Sequence, residues 1–391
     1  MSHGLRIAHV QPMSIDMLGY RDEDWGTTFR YFLPNMAAAQ VARGDRPTVH
    51  LLSADRRGAR HSRGEVDGIA LVFHPCVEMQ RGSGPPRRFS RQLSLSMLRA
   101  LRATDVDVVH FHGARNVHAM FGATAVRARR QRLALVAQDH GPRFVGPIMG
   151  RVQLEALRGC DALLAANDEG QAELLARAPS VDVHMVPNGV DPIVFHADER
   201  HRHERQPFRV LVVSRLTRDK DPLTMVDAIA EVARRGHSLE ATVVGAGDLR
   251  PELEVRFRAA SVPATFIDKL PQPELAARYR AAHALVLTSL REGFNQAALE
   301  AMASGTPVVA SDIPGIREVV GTAGLLAPPG ETGRFADHLE RLAADEHVWA
   351  EHRRRSREQA GRFAWPAIVA DLDEIYRRAI ESRRRRSRPT G

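Results

Sequence analysis

Lysine is almost missing from this chain: of its 55 basic side chains only Lys220 and Lys269 are lysines, and the rest are arginine. That skew looks like coding bias, so the formal charge of +8 carries no argument for nucleic acid. It also marks any surviving lysine as a position where a compact ammonium is needed. Cysteine is equally scarce. Cys76 and Cys160 are too few for a disulfide framework or a four-ligand zinc site and read as reduced core residues. No aromatic platform accompanies the arginines at 383–386, which read as a solvated end rather than a nucleic-acid arm. Long apolar runs are lacking too: residues 162–166 and 284–287 fall far short of the roughly 18–20 needed to span a bilayer. The first residues, Met1 to Arg6, show no apolar core or small-residue cleavage site of a secretory signal, so a cytosolic protein is expected.

What is present is alternation. Strand-like runs at 5–10, 48–52, 69–73, 106–111, 134–137, 162–165 and 183–186 are separated by helix-period segments. A second series follows at 208–213, 241–244, 264–267, 284–287, 307–310 and 324–326. Such alternation is the pattern of right-handed βαβ units, and it predicts an α/β protein with two Rossmann-like parallel sheets facing a central cleft. Turn chemistry at Pro187-Asn188-Gly189 and the aperiodic charged stretch 196–206 set the expected boundaries: 1–195, a linker at 196–206, 207–362, and a closing segment 363–391. That closing segment is expected to cross back to the first domain as a helix ending in an arginine-rich tail.

Chemistry concentrates in the second series. In Ser289-Leu290-Arg291-Glu292-Gly293-Phe294-Asn295-Gln296 a loop after a strand runs into a helix carrying Glu300. A helix starting near Asn295 offers free N–H groups and a positive dipole end to a phosphate beside Glu292. Glu300 can then accept hydrogen bonds from a diol. Arg215 and Lys220 follow another strand's carboxyl end, where a guanidinium fork and an ammonium can face a leaving diphosphate. In the first series His110 and His112 share one strand face, and with His118 they raise the question of a metal. No cysteine or acidic partner stands near them in the sequence, and no metal site is expected.

The two glutamates, with seven residues between them, sit in Glu-Gly-Phe, Leu-Glu-Ala-Met-Ala and Gly-Thr-Pro-Val-Val-Ala. This segment resembles the donor-binding signature of the family 4 retaining glycosyltransferases of the GT-B fold. The similarity extends to Ser214-Arg215-Leu216-Thr217-Arg218-Asp219-Lys220, Val186-Pro187-Asn188-Gly189, Val243-Val244-Gly245-Ala246-Gly247 and Phe363-Ala364-Trp365. The resemblance implies an enzyme that moves a hexosyl group from a nucleotide-diphospho-sugar, with a UDP-sugar favoured, to a hydroxyl of a small-molecule, saccharide or glycolipid acceptor. It implies retention of configuration and no cofactor or metal. It makes the second domain the nucleotide-sugar domain and the first the acceptor domain. The implied catalytic residues are His140, Arg215, Lys220 and Glu292. The implied donor-binding residues are Gly26, Gly245, Gly247, Leu270, Gly293, Phe294, Asn295, Gln296 and Glu300. Asn295-Gln296 departs from the glycine and apolar residues of many members, and Gly26 stands alone in its loop.

A basic amphipathic helix at 87–102 fits a cover for the first sheet better than a peripheral membrane contact at an inner face. The competing functions are an epimerase or phosphorylase built on the same fold, or a nonenzymatic module binding anionic lipid or nucleic acid. Conversion of a donor without acceptor would mark the epimerase, and steeply salt-dependent binding without donor affinity would mark the module.

Overall fold

The computed structural model describes residues 4–14, 32–53, 62–78, 92–113, 133–139, 147–198 and 207–386. The chain forms two units, Met1–Pro187 with Trp365–Gly391, and Asn188–Ala364. The first contains β1 (Arg6–Ser14), α1 (Phe32–Ala42), β2 (Arg46–Ser53), β3 (Ser62–Val66), β4 (Ile69–Pro75), β5 (Val77–Glu78), β6 (Gln92–Leu93) and α2 (Leu95–Ala103). It continues with β7 (Val108–His112), β8 (Ala134–Asp139), α3 (Pro147–Arg158), β9 (Ala162–Ala165), α4 (Asp168–Arg177) and β10 (Asp182–Met185). Eight strands form one sheet in the order β10-β9-β8-β7-β1-β2-β4-β3. Strands β7, β8 and β9 are buried throughout, as a parallel sheet covered on both faces requires. Alternate residues divide between two cores: Ile7, Val108 and Val136 on one face, Ala8, Val109 and Leu135 on the other.

Strand β3 was not expected. It pairs antiparallel with β4 through a two-residue turn at Asp67 and Gly68, both at positive φ (51° and 76°). That is the geometry an Asp-Gly hairpin adopts to match strand twist.

The second unit contains β11 (Phe208–Val213), α5 (Pro222–Arg234), β12 (Leu239–Val244), α6 (Arg250–Ala259), β13 (Ala264–Ile267), α7 (Gln272–Ala281) and β14 (Ala284–Leu287). After these come α8 (Gln296–Ala303), β15 (Val308–Ser311), α9 (Pro314–Val320), β16 (Leu325–Ala327), α10 (Thr332–Ala344) and α11 (Glu346–Gly361). Its six strands are all parallel in the order β13-β12-β11-β14-β15-β16. The order reverses between β11 and β14, and the loops leaving the carboxyl ends of those two strands flank the crevice where such sheets bind ligands.

The division falls at Pro187 and Asn188 rather than at the expected 195. Val190 and Phe195 are buried in the second unit's core, and the Val190 N–H donates to the Phe363 carbonyl at 2.8 Å. Residues 199–206 of the expected linker lie outside the described residues. The closing helix α12 (Trp365–Arg386) belongs to the first unit. It buries Trp365, Ile368, Val369, Leu372, Ile375, Tyr376, Ala379 and Ile380, a stripe at helical spacing, into the first sheet's core. The Tyr376 hydroxyl meets His110 Nδ1 at 2.7 Å. Arginines 383–386, expected as a solvated end, form the helix's last turn, where cations complement its negative pole. Among the described residues no helix is long and apolar enough to cross a membrane.

Candidate functional site

Strand β11 ends at Val213, and Ser214 to Thr217 lead into a single 3-10 turn, Arg218–Lys220. Asp221 closes the turn in the left-handed region (φ 44°), which aspartate tolerates better than most residues. Its carboxylate accepts from Thr224 Oγ1 at 2.6 Å at the start of α5. Thr288, just past β14, donates its hydroxyl to the Asp221 carbonyl at 2.7 Å and the Lys220 carbonyl at 3.2 Å. The Leu290 N–H reaches the Asp219 carbonyl at 3.0 Å. Two loops from the two strands that flank the switch point are thereby clamped together.

This clamp joins Lys220 to Glu292. Lys220 Nζ lies 2.7 Å from Glu292 Oε1, with 13% of each side chain exposed. The same oxygen accepts from Ser289 Oγ at 2.8 Å and Asn295 Nδ2 at 3.0 Å. Among the described residues all three donors reach Oε1, and none is drawn to Oε2. Asn295 acts twice, because its Oδ1 also caps α8 by accepting from the Ala298 N–H at 2.8 Å. Arg215 is 67% exposed and paired with Asp219 at 2.9 Å. Partial burial pushes the Asp219 carboxyl up, but the Thr217 hydroxyl and the Arg215 and Lys220 charges outweigh it and leave the group below its ordinary range.

Gly245 and Gly247 support the Arg215 loop. A Cβ on Gly245 (φ 151°) would stand 1.9 Å from the Ser214 carbonyl oxygen, and one on Gly247 2.2 Å from that of Leu216. Only glycine lets these two backbones approach so closely. Gly315, which sequence reasoning missed, does the same opposite Glu292: its Cβ would meet the Glu292 carbonyl oxygen at 2.4 Å.

Glu300 sits inside α8 and is 8% exposed. Its Oε2 accepts from the Tyr279 hydroxyl at 3.1 Å. Burial pushes its carboxyl up to about 7, against the opposing pull of the Tyr279 and Gln296 hydrogen bonds. Gln296 donates Nε2 to the Gly189 carbonyl at 3.1 Å. Phe294 packs edge-on against Phe363, centroids 6.2 Å apart, and Leu270 lies half-buried against the same core. Gly293 is exposed in the loop between Glu292 and Phe294.

His140 and Gly26 lie outside the described residues, as do His118 and residues 87–91 of the basic segment expected as one helix over 87–102; the rest of it opens with strand β6 at Gln92–Leu93, and the helix α2 starts only at Leu95, capped by Ser94. His110 and His112 do converge with a third histidine, but it is His9 on the neighbouring strand β1. His9 Nε2 donates to Gln40 Oε1 at 2.7 Å, since an amide oxygen only accepts. His9 Nδ1 therefore accepts from His112 Nε2 at 3.0 Å, and burial holds the His9 imidazole down at about 4. The ring nitrogens of the three histidines lie within 4.8 Å of one another, a spacing that could also hold a metal ion.

The group described as "Glycosyltransferase Family 4" matches residues 32–193, and "Glycosyl transferases group 1" matches residues 207–345, the span that carries Arg215, Lys220, Glu292 and Glu300. The chain belongs to the family 4 glycosyltransferases. Among its curated relatives, the D-inositol 3-phosphate glycosyltransferase of Frankia alni is 35% identical over 63% of this chain and 65% of its own. D-inositol 3-phosphate glycosyltransferase 1 of Catenulispora acidiphila is 28% identical over 82% of this chain and 83% of its own. The chain spans less than two thirds of the length of most of these relatives, as little as 56% in one case. Sucrose-phosphate synthase from Thermosynechococcus elongatus superposes with a TM-score of 0.72 at 19% identity, covering 97% of this chain and 100% of that one. An Anabaena protein solved with UDP and glucose superposes with a TM-score of 0.69 at 20% identity, covering 95% and 98%. At these identities the likeness carries the fold, which is GT-B. In this family 4 chain the residues that sequence reasoning missed are Thr288, Ser289, Tyr279 and Gly315. Only Ser289, three positions before Glu292, stands close enough in sequence to have been noticed.

Proposed function

We propose that this chain is a retaining, metal-independent glycosyltransferase that moves a hexosyl group from a nucleotide-diphospho-sugar, with UDP as the favoured nucleotide, to an acceptor hydroxyl. The carrying observation is the clamp at the switch point, which sets Lys220 against Glu292 next to the Asn295 cap of α8, with Arg215 in the same loop as Lys220 and paired with Asp219. The Anabaena protein solved with UDP and glucose supports the choice of nucleotide.

In the reaction the bond from the anomeric carbon to the diphosphate oxygen breaks. A bond from the acceptor oxygen forms on the same face, and the acceptor's proton passes to the departing phosphate. Charge therefore develops on the diphosphate. Arg215, Lys220 and the N-terminal N–H groups of α8 would meet that charge with fixed positive poles, the part a bound divalent ion takes in other transferases. The diphosphate would draw Arg215 from Asp219. Glu292, anchored through Oε1, keeps Oε2 to accept from hydroxyls of the donor sugar. Glu300 would accept from the ribose, and His140 and Gly26 complete the proposed donor side by resemblance.

A thermal-shift series with UDP, GDP, ADP and dTDP, each with and without EDTA, tests this reading, because a ligand that binds only the native state raises the melting temperature. The expected result is a clear shift from UDP that EDTA leaves unchanged. Loss of the shift in EDTA would overturn metal independence, and no shift from any of the four would overturn the donor site.

A further inference from the structure

Tyr279 is among the largest fully buried side chains of the protein, yet it carries a hydroxyl into the core. Burial of that group without a partner would cost stability, and its partner is Glu300 at 3.1 Å. Everything else about Tyr279 is fixed independently of the hydroxyl. The ring stands edge-on to Phe195, centroids 6.0 Å apart, and the carbonyl accepts from Thr306 Oγ1 at 2.6 Å. Tyr279 lies on α7 and Glu300 on α8, so the pair ties together two helices flanking β14.

We propose that Tyr279 is the positioning residue for ribose recognition: its hydroxyl holds one oxygen of Glu300, so that the other faces the diol of the donor's nucleotide. This rests on the reading of Glu300 as the ribose acceptor. A carboxylate that accepts from a diol must be oriented and charged when the ligand arrives, and it sits where burial favours its neutral form. A hydroxyl donated to Oε2 answers both needs, because it fixes the rotation of the carboxyl group and stabilises the ionised state. Tyr279 thus contributes to binding through Glu300, without touching the nucleotide, and leaves the phosphate end alone.

The test compares UDP and GDP with their 2′-deoxy and 3′-deoxy counterparts on the wild type, Tyr279→Phe and Glu300→Gln, by calorimetric titration from pH 5.5 to 8.5. Phenylalanine keeps the ring contact with Phe195 and the backbone bond to Thr306, so Tyr279→Phe should fold. Its expected signature is about a tenfold loss of preference for the ribonucleotide over its deoxy forms. Its binding profile should also move to higher pH, with kcat at saturating donor unchanged. A preference and pH profile equal to wild type would overturn the positioning role while Glu300→Gln still loses the preference. If Glu300→Gln also keeps the preference, the ribose reading itself falls, and this proposal with it.

Discussion

Glu292 and Glu300 lie on one loop-and-helix segment and share a side chain, but the protein treats them oppositely. Glu292 is set at a mouth, with an ammonium, a hydroxyl and an amide all directed at one of its oxygens. Glu300 is set in a core with a tyrosine hydroxyl, and burial raises its carboxyl to about 7. The difference shows that a carboxylate's task follows from its donors and its solvent. Glu292 is organised to stay in place while charge changes next to it. Glu300 is organised so that its charge state answers to burial and to pH.

The sharpest way to break that contrast is to remove the charged partners at the mouth. Lys220→Ala and Glu292→Ala should each lower turnover by about 100- to 1,000-fold, the effect of losing one preorganised electrostatic contact. Initial rates on purified, folded protein check this, and near-normal rates in either variant would remove the mouth from the mechanism. Glu300→Gln should behave differently, with its largest signature in stability. The carboxyl's folded value of about 7 lies above the usual 4.5, so its contribution is present in full below pH 4.5 and is lost as pH rises through 7. Glutamine cannot ionise, and the variant should gain roughly 3 kcal/mol relative to wild type between those limits. Parallel melting-temperature curves from pH 4.5 to 8 would refute the buried charge.

Smaller effects sharpen the comparison further. Asn295→Ala removes both the cap of α8 and one donor to Glu292, and should cost about 1 kcal/mol in urea unfolding along with a several-fold loss of turnover. Ser289→Ala removes only a donor, and should cost about 0.5 kcal/mol with the weakest kinetic effect of the series. An Asn295→Ala variant no worse than Ser289→Ala would show that the cap does not hold the loop.

Much of the second unit was legible because its signals are local. The strands 208–213, 264–267 and 284–287 have the expected bounds, and the central one at 284–287 is the continuous apolar run that marks a buried parallel strand. The helix expected to start near Asn295 does start there, at Gln296, and Lys220 stood out because lysine is otherwise so rare. The hairpin at Asp67-Gly68 had its signal in the sequence and still went unread, because the strand it leads from, Ser-Arg-Gly-Glu-Val, lies at a sheet edge and lacks apolar alternation. The sequence groups His118 with His110 and His112 as a near neighbour, and it gives no sign of His9, which strand pairing brings to His112 from 103 positions away. Tyr279 gave no sign at all.

The sequence by itself determined the two-sheet α/β architecture, the family and which charged residues meet before α8, because strand period, helix period and a fixed spacing are properties of adjacent residues. Only the tertiary structure decided which oxygen of Glu292 is held, that Glu300 is buried against Tyr279, and that His9 joins His110 and His112. Those outcomes depend on which distant segments meet and what water they exclude, and burial and hydrogen-bond geometry exist only once the chain has closed on itself.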